Sequence, residues 1–467
     1  MQRYVLKMFA DGWREWTPAM AVVGVISTMI GLCVHQYAWT MTPQFRDAVA
    51  AAGAPLAEYQ ILSITIYVVI ALVSWVALTV VGKASVHASR HTHALWLLLG
   101  ASPRAVFLST LYILLIVSFC GAMMGAIAST FLGFWVLPAF DGAVSPAVDM
   151  PRFTVALWAP LVVVVISVAT AIVGGVVPAY RASRIQPGVA LRTVQQPDHK
   201  STSSVLRIVS GSFFLLIAVA LVAASKLDQQ LASAGLAPII NLAFNAGASA
   251  LIGVYLMCPE IVGFLFRVLH KVFDVTDLVV SALGTRAAAA RSRMNVTTIA
   301  PLAAGLGGVG LLLCALGSVG AVVQILEPGA EINMTDTWII IAVVIVSMFA
   351  TSAAVVALSA RGRGHEVALL QSAGMSPRQV IALIGAESFA MSLAATLVAA
   401  VPVVVGGVVC AFATATALNG PPVVEWPFKM MSLGMLGAWL LLFLILAIPT
   451  IGPLRNGPSA QLRGEGV

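Results

Sequence analysis

Apolar residues in this chain run in long blocks and do not recur on one helical face. Ten blocks are long enough to cross a bilayer, at about 18–37, 61–82, 105–137, 155–177, 206–224, 239–266, 298–325, 337–359, 380–414 and 432–452. A crossing helix needs roughly 20 consecutive apolar residues. A soluble helix would instead show an apolar stripe at the 3.6-residue period. The pattern predicts an all-α integral membrane protein with about ten transmembrane helices. Blocks 105–137 and 380–414 exceed one straight crossing and are expected to tilt, bend or project from the membrane. Gly121, Gly125 and Gly133 in the first, with Gly406 and Gly407 in the second, would permit bends or close helix contacts.

The polar stretches between blocks repeat. His91 to Val106 aligns with His365 to Val380 at a constant offset of 274, with His91/His365, Leu95/Leu369, Gly100/Gly374, Ser102/Ser376, Pro103/Pro377, Arg104/Arg378 and Val106/Val380 identical. A second match, at an offset of 271, pairs Pro178/Pro449, Arg184/Arg455, Pro187/Pro458, Leu191/Leu462 and Arg192/Arg463. Two of the intervening loops share a proline-plus-aromatic turn, Pro151-Arg152-Phe153 and Pro427-Phe428-Lys429. The chain is therefore organised as two parallel four-helix repeats, 18–192 and 298–463, around a two-helix insert, 206–266. Stretches 193–205 and 267–297 are expected as cytoplasmic linkers, and 1–17 as a cytoplasmic segment lying along the membrane surface. Two repeats entering from the same side imply a pseudo-twofold axis along the membrane normal.

Composition and charge settle the compartment. Of the 467 residues 60% are hydrophobic and 9% charged, far below the roughly 25% charged of soluble domains. With the N-terminus placed in the cytoplasm, 21 of the 25 Lys and Arg residues fall on the inside. Only Arg46, Arg152, Lys226 and Lys429 fall outside. This asymmetry predicts a multi-pass membrane protein with both termini cytoplasmic. It also accounts for the net charge of +7 without nucleic acid. The first block is followed by no small-residue cleavage site, so the first span is expected to serve as the insertion signal.

Candidate chemistry is sparse. The five cysteines, Cys33, Cys120, Cys258, Cys314 and Cys410, sit inside apolar blocks without CxxC spacing and read as small core residues. His87, His91 and His93 have no accompanying carboxylate, and no metal site is expected there. No nucleophile–base arrangement is visible, and the chain is not expected to be an enzyme. Glu260, beside Pro259, and Glu387 are polar groups within apolar blocks. Intramembrane carboxylates default to functional hypotheses, but a polar helix contact explains each equally well. Glu387 is not a symmetric feature, since its repeat partner is Ile113.

The repeated inside loop is the best candidate site. Residues 94–99 form a short apolar helix that Gly100 can end in a left-handed cap. Ser102 can cap the next helix with Pro103 in its first turn, and Arg104 stands at the membrane boundary. Gly374, Ser376, Pro377 and Arg378 repeat the device. A bare helix–turn–helix explains the caps but not the apolar run Leu95-Trp96-Leu97-Leu98, and exposed apolar patches mark partners or lipid.

These motifs resemble the FtsX/MacB-like permease family of ABC transporters. They are the apolar helix before Gly-x-Ser-Pro-Arg-x-Val, and the closing Pro-x-x-Arg-Ala-Ser-Arg-Ile-x-Pro-x-x-Ala-Leu-Arg. The 4+2+4 layout is similar to the ten-span members acting in antimicrobial-peptide resistance. The resemblance implies that 88–101 and 362–375 are coupling helices seated on two copies of a cytoplasmic ABC ATPase. His91, Leu95, Trp96, Leu98, Gly100, Ser102, Pro103 and Arg104, with His365, Leu369, Gly374, Ser376, Pro377 and Arg378, would then form the ATPase-coupling surfaces. Arg184, Pro187, Arg192, Arg455, Pro458 and Arg463 would close each repeat. ATP and Mg2+ belong on the partner, with no cofactor on this chain. Indeed no Gly-x4-Gly-Lys-Ser/Thr occurs, and Gly82-Lys83 is followed by Ala84. Family members often carry a large extracytoplasmic domain, but loops 38–60 and 326–336 are too short to fold one.

The leading expectation is a permease exporting or extracting an amphipathic substrate such as a lipid, lipopeptide, antimicrobial peptide or drug. Membrane lipid is a partner, and the insert leaves room for an accessory membrane protein. The alternative is a mechanotransmitter relaying ATPase motion to an envelope partner, against which the short outer loops weigh. An ion-coupled carrier would need charges at mid-span, which are nearly absent, and leaves the repeated loop unexplained.

Overall fold

The computed structural model describes residues 13–53, 56, 95–144, 149–183, 202–227, 236–275, 279–290, 292–326, 335–359, 363–418 and 421–456. All regular structure among them is α-helix. Eight of the helices are long and apolar enough to cross a membrane. The span expected at 61–82 lies outside the described residues, as does most of the surface segment 1–17; Trp13 to Trp16 form the first turn of the first helix. The chain divides into two compact units, one of residues 1–199 and 332–358, the other of 200–331 and 359–467.

The first unit contains α1 (Trp13–Thr40), α2 (Pro43–Ala51), α3 (Pro103–Val144), α4 (Ala159–Ser183) and α9 (Thr335–Ser359). Thus α9, which follows the seventh span in sequence, belongs spatially with the first-repeat helices. Its core begins where α1 crosses α3. Hydrocarbon offers helices no hydrophobic reason to associate, so close backbone approach must supply contact. Gly121 and Gly125 provide it: a Cβ on Gly125 would meet Ser27, the Gly24 carbonyl and the Thr28 amide. Around this seam Trp16, Val23, Ile26, Ile113 and Val117 pack into one buried cluster. A second cluster, Trp39, Phe45, Val49, Leu137 and Phe153, joins α2 to the last third of α3. The first outside loop, too short to fold a domain, holds a nine-residue helix pinned by Phe45 and Val49.

The second unit contains α5 (Thr202–Leu227), α6 (Leu236–Val275), α7 (Val279–Ala290), α8 (Ser292–Leu326), α10 (Arg363–Ser372), α11 (Pro377–Leu418) and α12 (Phe428–Asn456). Helices α5 and α6, the expected insert, approach at Gly211 and Gly253, where a Cβ on either would lie 2.9 Å from the other's carbonyl oxygen. Leu311 of α8 is wedged between Gly247 of α6 and Gly406 of α11. Two hydrogen bonds tie α11 to α12. The Ser392 hydroxyl donates to the Met435 carbonyl (2.7 Å), and the Trp439 indole donates to that of Gly385 (3.1 Å). The stretch expected as a linker, 267–297, is largely helical. Its helix α7 lies with Gly284 against Ala386 and the Glu387 amide of α11.

The repeat reappears in the helix limits. Helices α3 and α11 each have 42 residues, and both their first and last residues differ by 274 (377 − 103 and 418 − 144). At 1.5 Å per residue each is about 63 Å long, twice the roughly 30 Å hydrocarbon core. The two over-long blocks are thus single helices that project beyond the membrane.

Gly125→Val should lower the thermal midpoint of the purified chain, by about 1–3 kcal/mol of overpacking. Met124→Val, on the exposed side of the same helix, should leave it nearly unchanged. Equal midpoints in a detergent melting series would show that the α1–α3 seam does not hold the first unit together.

Candidate functional site

Each long helix begins at an elbow. In the first unit a helical turn over residues 95–98 leads to Gly100, whose φ is +87°. The Ala101 amide donates to the Trp96 carbonyl (3.0 Å) and the Gly100 amide to the Leu97 carbonyl (3.2 Å). These are the two bonds of a Schellman cap, which satisfies helix-end carbonyls through a left-handed residue. The second unit repeats them. Gly374 has φ +94°. The Met375 amide donates to Leu370 (3.1 Å) and that of Gly374 to Gln371 (2.9 Å). A Cβ at either glycine would meet nothing within 4 Å, so only backbone conformation demands glycine there.

The elbow closes on a serine cap. The Ala105 amide donates to Ser102 Oγ (3.3 Å), and the Gln379 amide to Ser376 Oγ (3.4 Å). In the second elbow Gln379 also reaches back, its Oε1 accepting from the Ser376 amide (2.8 Å) and hydroxyl (3.1 Å). This reciprocal pair is a capping box. Sequence reasoning missed Gln379, although Ser-x-x-Gln spacing is its signal. Pro103 and Pro377 start their helices, where a missing amide costs nothing. Beyond them Val106 and Val380 are buried, which fixes the elbows to their bundles. The outer faces remain apolar: Leu95, Leu98 and Leu369 are exposed, and Leu99 is 86% exposed. Arg104 and Arg378 are exposed beside them, and Trp96 is half-buried.

His365 lies in α10 and Arg455 in the last turn of α12, with side chains outside the described residues. His91, Arg184, Pro187, Arg192, Pro458 and Arg463 also lie outside the described residues. Glu260 forms a 3.1 Å ion pair with Arg207, joining α6 to α5. Glu387 is buried at the α7–α11 contact, ten residues beyond Pro377. Neither carboxylate joins an elbow. Among the described residues no three His, Cys, Asp or Glu side chains cluster as metal ligands.

Residues 64–187 match the family model for the FtsX-like permease C-terminal domain. The chain carries an FtsX-like permease domain. The match includes the first elbow and all of α3 and α4. With eight long apolar helices among the described residues, this makes the chain a multi-pass membrane protein that carries an FtsX-like permease domain. A comparison with curated proteins finds no match.

At the far ends of its two long helices the permease repeats a second device. Phe153 rests against Gly133 of α3, and Trp426 against Gly407 of α11, two glycines that again differ by 274 (407 − 133). Phe153 is 6% exposed and meets the rings of His35, Trp39 and Phe134 edge-on. His35 also shares a 3.2 Å hydrogen bond with the Thr130 hydroxyl. In the second unit the segment carrying Trp426 is tied down on both sides. Thr414 Oγ1 bonds the amide and carbonyl of Val423, each at 3.1 Å. Ser318 Oγ accepts from the Glu425 amide (3.1 Å). The aromatic that sequence alignment set beside Phe153, Phe428, is 72% exposed and instead flanks Trp426.

Gly374→Asn should keep the second elbow, because Asn tolerates the left-handed region, whereas Gly374→Val should cost about 1–2 kcal/mol. Amide hydrogen exchange across residues 363–380 reports the difference. Equal protection in both variants would mean that the positive φ is not what holds the turn.

Proposed function

We propose that the chain is the transmembrane permease of an ATP-binding cassette transporter whose two elbows seat on two copies of a separate cytoplasmic ATPase. The observation that supports this reading is the repetition of one rigid device. Two Schellman–serine elbows, 274 residues apart, each present exposed leucine and arginine beside the start of a 42-residue helix. A bare turn needs its caps but not exposed leucines, and two equivalent surfaces suit two equivalent partners.

ATP and Mg2+ bind the partner, whose hydrolysis is coupled to the permease through the elbows. The elbow side is the cytoplasmic side of a bacterial plasma membrane, as the Lys/Arg asymmetry favours. The substrate is amphipathic (a lipid, lipopeptide, antimicrobial peptide or drug) and is exported or extracted. Short outside connections favour capture within or just above the outer leaflet over hand-over to a large soluble partner.

The test is co-purification with a candidate ATPase followed by reconstitution in lipid. Leu99→Glu plus Leu369→Glu, both at exposed positions, should abolish ATPase binding or lower permease-coupled ATP turnover at least tenfold, leaving the melting curve of the permease unchanged. Wild-type complexes should contain two ATPase chains per permease. A double variant that still binds and couples two ATPases would overturn the assignment of the elbows.

A further inference from the structure

The elbow-side half of the second unit holds a basic corner that the elbows do not use. On α6, Arg267, His270 and Lys271 are spaced by three and four residues and so share one side of the helix. Helix α7 brings a third cation, since Arg286 Nε donates to His270 Nε2 at 2.9 Å. The second nitrogen of the imidazole is Nδ1. That Nδ1 is buried and has no partner. Arg267 turns its own Nε back to the Gly263 carbonyl (3.2 Å), leaving the rest of the guanidinium at the surface. Lys271 is exposed. Among the described side chains no carboxylate pairs with Arg267 or Lys271, and Glu260, further along α6, is engaged by Arg207.

Two exposed cations four residues apart on one helix, with Arg286 brought to the same corner, suit an anion. The neighbouring surface says which kind. Phe264, Val268 and Val272, at successive steps of four, form an exposed apolar row alongside Arg267 and Lys271. The apolar span of α6 ends at Val272, which puts both cations in its last turns, at headgroup depth. Free phosphate would use the cations and leave the apolar row unexplained. A lipid uses both.

We infer that the α6–α7 corner binds an anionic phospholipid, its phosphate held by Arg267, Lys271 and Arg286 and an acyl chain lying along Phe264, Val268 and Val272. Because α7 packs on α11 at Glu387, such a lipid also braces the second long helix near its elbow. The site rests on the membrane reading of the chain and not on ATPase coupling.

The experiment melts the purified full chain in maltoside micelles with added dioleoyl phosphatidylglycerol, dioleoyl phosphatidylcholine or inorganic phosphate. Phosphatidylglycerol should raise the midpoint, and the other two should not. Each basic residue at the surface contributes roughly fivefold in affinity. Lys271→Gln should therefore need about fivefold more phosphatidylglycerol for the same shift, and Arg267→Gln plus Lys271→Gln about thirtyfold more. The swap Arg267→Lys plus Lys271→Arg, and Arg152→Gln at an exposed position in the first unit, should both respond like wild type. A neutralised variant with the wild-type response, or an equal shift from phosphatidylcholine, would overturn the proposal. A shift reproduced by phosphate alone would reduce the corner to an anion site and overturn the lipid assignment.

Discussion

Both units depend on close approach of helix backbones at small residues. Within hydrocarbon, burying a leucine against another helix gains little over leaving it in lipid, so packing must come from shape. The α1–α3 seam at Gly24, Gly121 and Gly125 sets the first unit, and the wedge of Leu311 between Gly247 and Gly406 sets the second. Polar bonds between helices, such as Ser392 to Met435 and Trp439 to Gly385, add to this packing. Each joins backbone that the close packing has already brought within reach.

The elbows solve a different problem at the membrane boundary. A short surface helix must meet a long spanning helix without leaving bare amides and carbonyls at the junction. Schellman closure satisfies one side and a serine cap the other. The result is a connection with little freedom, so a force on the surface helix is passed on and not absorbed. The second elbow is the more completely satisfied of the two, since Gln379 completes a box for which the methyl of Ala105 has no acceptor. The two elbows thus share one backbone geometry, and the second adds a side-chain box.

The elements that sequence revealed are those whose cause is local. Apolar runs marked the spans because length alone decides whether a segment can cross. Gly-x-Ser-Pro marked the elbows because positive φ, hydroxyl capping and a missing amide each select one residue type. What stayed hidden depended on distant partners. No local feature distinguishes α9, at Thr335–Ser359, from its neighbours, yet it groups with the first-repeat helices. The helix α7 within a presumed linker is decided by Gly284 fitting against α11, a contact a hundred residues away in sequence. Pairing Phe153 with Phe428 followed the neighbouring prolines, whereas the space above Gly407 admits Trp426.

The far-end aromatic seats gain a meaning from the length of the helices that carry them. Gly133 lies thirty residues beyond Pro103, and Gly407 thirty beyond Pro377, within single helices, the second of which passes through Pro402. Thirty residues span about 45 Å. Elbow and seat are therefore two ends of one lever arm. Were the elbow to tilt its helix by about 5°, the glycine under Phe153 or Trp426 would be carried sideways by about 4 Å at that length. An aromatic ring resting on a bare glycine would be unseated by that stroke, with no signal needing to pass through the packed interior between.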